Sequence, residues 1–255
     1  LAQGYTLTGR HGMFTSYEAF IDIVSSMADQ YGKFLNWAKK YSWRKNIPSF
    51  NYILTSSGWR QEHNGFSHQN PSFISSVLEK SGHHTKVYFP ADVNSTLLVF
   101  EKCLKSKGGI NVIVGGKRPE PVWTSLKEAR RGVENGIMTY GFASDSKPDI
   151  VFVGVGTYLV KEAMAALKLI KQELPKVRIR FVNVVEVSSL GIGNQECRLD
   201  LADYFTKDKP VIFNYHGYPS DLNSLLLKQD NPERFFVHGY TEHGSTTTPF
   251  DMQVL

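Results

Sequence analysis

The 255-residue chain carries 29 Lys and Arg against 24 Asp and Glu, a net charge of +5, and is 41% hydrophobic and 13% aromatic, an ordinary globular composition for one large or two ordinary domains. The basic residues are spread out apart from pairs such as Lys39-Lys40 and Arg130-Arg131, which argues against nucleic acid and fits a phosphorylated or otherwise anionic small substrate. Two cysteines, Cys103 and Cys197, far apart and without a CxxC pair, exclude a disulfide framework and a zinc signature and fit a reducing compartment.

In chain order, Tyr17 opens a helical pattern with apolar residues at Phe20, Ile21, Val24, Ala28, Tyr31 and Leu35, capped by Ser16 or Thr15. The run Phe50 to Thr55 reads as a buried strand. A helix near Pro71 to Lys80, a strand Thr85 to Phe89, a helix from about Asp92 to Lys105, a strand Ile110 to Val114 and a helix Lys127 to Gly136 follow. Ala143-Ser-Asp-Ser-Lys-Pro148 then interrupts, and a domain boundary is expected there, giving units 1–145 and 146–255. The second unit, expected to be the smaller, repeats the alternation: strand Asp149 to Val153, helix Val160 to Leu174, strands Arg178 to Val185 and Pro210 to Tyr215, a helix around Leu222 to Lys228, and Arg234 to His238. Regular alternation implies two three-layer α/β units with mainly parallel sheets.

No run of 18 or more apolar residues appears, and Leu1 to Thr6 lack the charged and apolar regions of a signal peptide, so a soluble chain without a membrane partner is expected. The chain starts without Met and stops on the strand-like Gln253-Val-Leu255, so both ends read as cut and a fragment is expected.

The densest chemistry lies in Trp59-Arg-Gln-Glu-His-Asn-Gly-Phe-Ser-His68, which packs two imidazoles, two amides, a guanidinium and a carboxylate just past a strand end, where open α/β sheets gather ligand chemistry. The competing reading is a solvated turn. Zinc ranks lower, because His63 and His68 are five apart rather than at i, i+4 and no second acidic or Cys cluster completes a coordination set. Gly115-Gly-Lys117 follows another strand end, where glycines let a backbone approach an anion and Lys117 adds a point charge; the alternative is a plain turn stiffened by Arg118-Pro119. Gly154-Val-Gly156 lacks the third glycine of a dinucleotide site, with Leu159 in its place, and Gly191-Ile-Gly193 supplies only backbone freedom.

Four blocks, Leu7-Thr-Gly-Arg-His-Gly12 with Ser16-Tyr-Glu-Ala-Phe20, Trp59 to Gln69, Gly115-Gly-Lys117, and Gly239-Tyr-Thr-Glu-His-Gly-Ser-Thr-Thr-Thr-Pro-Phe-Asp-Met252, together resemble phosphoketolase across the whole chain. The resemblance implies a cytoplasmic, thiamine-diphosphate-dependent enzyme of the transketolase superfamily. It cleaves xylulose 5-phosphate, and often fructose 6-phosphate, with inorganic phosphate to acetyl phosphate and an aldose phosphate, in a homodimer whose active sites form between subunits. Residues 1–145 would then be the latter part of the pyrimidine-binding domain and 146–255 most of the carboxy-terminal domain. The diphosphate-binding domain, which binds most of the Mg2+, and the cofactor-activating glutamate lie outside this chain, so the fragment alone is expected to be inactive.

Carried over on matching positions, His68 and His63 move protons, with His68 nearest the dehydration step, and Gln61 is grouped with them as catalytic. Asn64, Lys117 and Tyr17 bind substrate or phosphate, and Tyr17 or Phe14 contacts the cofactor pyrimidine. For Tyr17 the periodicity by itself points to a first-turn core aromatic. Arg10 and His11 are expected to serve an interface or the organisation of the site, and His216 and His243 to be structural or interfacial. A transketolase-type two-carbon transfer, a non-catalytic α/β subunit and a metal-dependent hydrolase are the other readings.

Overall fold

The computed structural model describes residues 1–55, 70–79, 84–117, 119–191, 197, 199–227, 229 and 231–241, with the side chains of 224 and 225 excepted. The chain opens with α1 (Ala2–Leu7), β1 (Gly12–Ser16), α2 (Glu18–Ile21), a 3₁₀ turn over Asp22–Val24, and α3 (Ser25–Ala38). There follow β2 (Phe50–Leu54), α4 (Ser72–Glu79), β3 (Thr85–Tyr88), α5 (Val93–Lys105), β4 (Ile110–Val114) and α6 (Leu126–Asn135). The second half holds β5 (Ile137–Thr139), β6 (Ile150–Val155), α7 (Thr157–Glu173), β7 (Ile179–Val184), α8 (Ala202–Phe205), β8 (Val211–Tyr215), α9 (Ser220–Leu226) and β9 (Phe235–His238).

Among the described residues the strands form two sheets, ordered β1-β2-β4-β3 and β5-β7-β6-β8-β9, parallel throughout except where β5 runs antiparallel to β7. The central strands are buried on both faces, as parallel strands sandwiched by helices must be. Along β4, Ile110, Val112 and Val114 enter one buried cluster and Ile113 the other, the period-2 alternation of a strand. The first cluster takes Tyr31 of α3, Phe73 and Val77 of α4, Phe205 of α8 and Leu222 of α9. The second takes Val99 of α5, Val133 of α6 and Val160 of α7. Helices therefore cover both faces, which is the expected three-layer α/β architecture.

Both clusters run through both sheets. Ile21, Leu54 and Val114 share one with Val155 and Tyr215, while Tyr88 and Ile113 share the other with Tyr140 and Phe181. The seam is closed by backbone: the Phe89 N–H donates to Val185 O at 2.7 Å, and Tyr88 bridges Glu186 in antiparallel fashion. At that seam Glu186, 5% exposed, accepts from Lys102 at 3.0 Å, with Lys86 at 3.7 Å.

One expectation is corrected. The single helix from Tyr17 is two helices joined by a 3₁₀ turn. Because that turn has about three residues per turn, it shifts the phase of the apolar stripe, so Ile21, Ala28, Tyr31 and Leu35 are buried while Phe20 is 49% exposed. β5, which precedes the 143–148 segment, hydrogen-bonds to β7 of the second sheet. The second sheet has five strands to the first sheet's four among the described residues.

Candidate active site

The site is assembled by strand register. Ser16 of β1 lies opposite Leu54 of β2, and Leu54 opposite Val114 of β4, so the three strands end level with one another. Two further bonds extend the line: Thr55 N–H donates to Ser16 O at 3.0 Å, and Gly115 N–H to Leu54 O at 2.9 Å. Tyr17, Thr55 and Gly116-Lys117 are thereby gathered at one sheet edge.

That edge is the switch point of the first sheet. β2 and β4 are neighbours, yet α4, which follows β2, packs into one core cluster, and α6, which follows β4, into the other. Connections leaving adjacent strands toward opposite faces open a crevice at the strand carboxyl ends, where ligands bind in open α/β sheets.

Lys117 and Tyr17 meet there. The Lys117 ammonium sits 3.2 Å from the centroid of the Tyr17 ring, a cation–π contact in which the ring face holds the charge without neutralising it. Among the described residues no carboxylate pairs with Lys117, whereas Lys161 is matched by Glu120 at 3.1 Å, Lys171 by Asp145 at 2.7 Å and Arg178 by Asp149 at 2.6 Å. Tyr17 caps α2 with extended backbone (φ −65°, ψ 146°), is half-buried, and packs edge-on against Phe20 with ring centroids 6.0 Å apart. It is not the core aromatic that periodicity alone suggested.

Phe14 projects from β1, which forms an edge of the sheet. Its ring is 37% exposed and meets Tyr52 edge-on at 6.2 Å. Gly115 differs from expectation: its N–H is committed to Leu54 O, so any backbone contribution to an anion falls to residues after it. Gln61, His63, Asn64 and His68, with His243, lie outside the described residues. Arg10 and His11 are exposed in the turn before β1, Arg10 donating to Thr8 Oγ1 at 2.9 Å.

Behind this edge His216, expected to be structural or interfacial, makes a contact with Glu18 that sequence reading missed. Glu18, the residue after Tyr17, and His216, the residue after β8, are each 1% exposed, and His216 Nε2 lies 2.8 and 3.0 Å from the two Glu18 carboxylate oxygens. Asp92 was missed too as an organiser. Fully buried, its carboxylate accepts from Ser95 N at 2.8 Å, from Trp123 N and Thr124 N at 3.1 Å each, and from Thr124 Oγ1 at 2.9 Å, pinning the irregular segment before α6 to the start of α5. Only the cap of α5 is visible in the sequence; the cross-chain bonds have no local signal. Cys103 is buried and its thiol is pushed up to about 12, chiefly by desolvation, which suits a structural residue and not a nucleophile.

Two family profiles cover the chain. That of D-xylulose 5-phosphate/D-fructose 6-phosphate phosphoketolase matches residues 1–106, and that of the XFP C-terminal domain matches residues 117–255. The chain belongs to the phosphoketolase family. A probable phosphoketolase of Brucella abortus (strain 2308) is 46% identical over 99% of this chain, and the chain spans only 33% of that relative's length. Among solved structures, a transketolase variant from Pichia stipitis superposes with a TM-score of 0.70 at 14% identity, over 94% of this chain and 31% of its own. A split-gene transketolase, described as an "inactive beta4 tetramer", has a TM-score of 0.65 at 16% identity, over 99% of this chain and 74% of its own. Phosphoketolase membership and the transketolase-like fold thus agree. No helix among the described residues is long and apolar enough to cross a membrane.

Proposed function

We propose that this chain provides the phosphate-handling wall of a phosphoketolase site within a longer protein, the longer protein cleaving a ketose phosphate with inorganic phosphate to acetyl phosphate and an aldose phosphate. The observation that carries the reading is the Lys117 ammonium held over Tyr17 at the β2–β4 switch crevice. A cation parked on a ring face keeps its whole charge for an incoming anion, and the Tyr17 phenol adds a neutral donor beside it.

The described residues fit part of thiamine diphosphate. Phe14 offers an exposed aromatic face on which a planar pyrimidine stacks. For the diphosphate and its Mg2+ the described residues contain no group of three or more His, Cys, Asp or Glu placed to hold a metal ion, so on this reading those parts are held by protein outside the described residues. When bound, the cofactor supplies the carbon nucleophile that attacks the ketose carbonyl. Around it, Lys117, Tyr17 and Asn64 bind phosphate or substrate, Gln61 donates and accepts neutral hydrogen bonds, and His63 and His68 accept and return protons near neutrality. The two units described above correspond, on this reading, to part of the pyrimidine-binding domain and most of the carboxy-terminal domain, and the complete site forms between two subunits of a homodimer.

The test is acetyl phosphate formation by the full-length protein that contains this sequence, given xylulose 5-phosphate, thiamine diphosphate, Mg2+ and phosphate. Phosphate-dependent product, lost in His68→Ala, is expected. Product that requires an aldose phosphate acceptor in place of phosphate would convert the reading to transketolase chemistry, and activity of the 255-residue chain by itself would overturn the assignment to part of a site.

A further inference from the structure

The second sheet has a switch point of its own. β6 and β8 are neighbours, with α7 following β6 into one core cluster and α9 following β8 into the other. By the same topological rule this crevice is a second ligand position. It is filled from within. His216 leaves β8 at that point, its N–H donating to Val155 O at 3.2 Å, and Gly156 (φ +111°) lets the backbone turn against the ring, since a Cβ there would lie 3.3 Å from His216 Cβ. The ring is further covered by Phe89 from the first unit, at a centroid distance of 5.4 Å, and its Nε2 faces both oxygens of Glu18. One proton joins Nε2 to the Glu18 carboxyl group in this bond.

We propose that Glu18 and His216 are positioning residues: the second sheet uses its crevice to grip Glu18, and so fixes the backbone that aims Tyr17 and, through the ring, Lys117. Glu18 is the first residue of α2, and Tyr17 immediately before it is the cap, its carbonyl accepting from Phe20 N at 3.2 Å and Ile21 N at 3.1 Å. With both side chains 1% exposed and 198 residues apart in sequence, the pair ties a residue beside the phosphate wall to the opposite half of the molecule. A buried hydrogen-bonded polar pair adds little net stability compared with an apolar pair of equal volume, and orientation is what it can supply. The activity arm of the test rests on the function proposed above; a spectroscopic arm does not.

In the full-length protein, His216→Phe keeps the ring volume and removes the donor, and His216→Gln restores a donor at similar reach. Because His216→Phe leaves the buried Glu18 carboxyl without this partner, the double variant Glu18→Met, His216→Phe is measured beside it as a form that folds without the buried polar group. A 3-fluorotyrosine placed at position 17 reports the Lys117 ammonium on its ring by fluorine NMR. In His216→Phe and in the double variant the half-saturating phosphate concentration should rise by about tenfold or more, with a smaller fall in kcat. The fluorine resonance should leave its wild-type position, and His216→Gln should return both quantities part of the way. If the fluorine resonance and the phosphate dependence stay within about twofold of wild type while the melting temperature falls, the pair is structural only and the proposal is wrong. Should wild type make no acetyl phosphate, the functional reading fails by itself; a resonance unmoved in both variants would then still overturn the positioning role, and a displaced one would support it.

Discussion

Lys117 rests on a ring face while other cations at the surface are matched by carboxylates, and the difference bears on what each can still bind. Against Glu120, Asp145 or Asp149 a phosphate must compete with a resident anion; over Tyr17 it meets an uncompensated charge. Replacing Lys117 by Met, which keeps the stem, should therefore raise the half-saturating phosphate concentration by about 30-fold, the equivalent of roughly 2 kcal/mol for a charged hydrogen bond, with the fold intact. Tyr17→Phe keeps the platform and loses only the phenol, so a smaller rise of about fivefold is expected, whereas Tyr17→Leu should approach the Lys117 variant. Equal phosphate curves for the Phe and Leu variants would remove the ring from the account. Lys117 and Tyr17 were each singled out from the sequence, and their adjacency was not. It depends on β1, whose five residues run mostly exposed along a sheet edge and carry no buried alternation to read. Glu18 and His216 were less legible still, because nothing local in the sequence marks a contact across 198 residues.

At the scale of elements, the helices that sequence signals defined best are those with complete caps. α6 begins with a capping box, Ser125 accepting from Glu128 N while the Glu128 carboxylate accepts from Ser125 N, and it ends on Gly136 in the left-handed region at φ 79°. Ser125→Ala should cost about 1 kcal/mol, a fall of about 2–4 °C in melting temperature for a chain of this length. A shift no larger than measurement error would mean that packing alone sets the start of α6. β6 and β7 are clamped at their amino ends by Asp149 and Arg178, with Arg178 Nη2 to Asp149 Oδ1 at 2.6 Å and Nε to Oδ2 at 3.1 Å. Hydrogen bonds from Arg178 lower the Asp149 carboxyl from 3.8 to about 2. The folded value lies below the unfolded one, so the contribution is fully present above the unfolded pKa and is lost as pH falls through the folded one. Wild type should then exceed Asp149→Asn in melting temperature at pH 5, with the gap closing toward pH 2; a gap that persists unchanged at pH 2 contradicts the linkage. Strand positions were legible because β2, β4 and β6 are apolar runs between turn residues. The sheet to which a strand belongs was harder, as β5 illustrates: three residues after a helix carry no mark of their partner, and only the antiparallel bonds to β7 assign it.

Across the whole molecule, two sheets with separate orders share both core clusters, so the division suggested by the turn-rich segment 143–148 does not separate two independent cores. Composition and alternation sufficed for the architecture because burial on two faces needs only apolar strands and helices with one apolar side. Where the halves join could not be read in the same way, since Phe89, Val185 and Glu186 meet by tertiary register and not by any local preference. That joint also serves as a gauge. The Phe89 amide, bonded at 2.7 Å to Val185 O and belonging to a fully buried residue, can exchange its hydrogen for deuterium only when the halves part. Its exchange rate, relative to the intrinsic rate of that amide, reports the free energy of that opening. If the two halves open together, that rate should match those of central-strand amides such as Val112 and Val153, and an appreciably faster Phe89 would mean that the halves breathe apart while each keeps its own sheet.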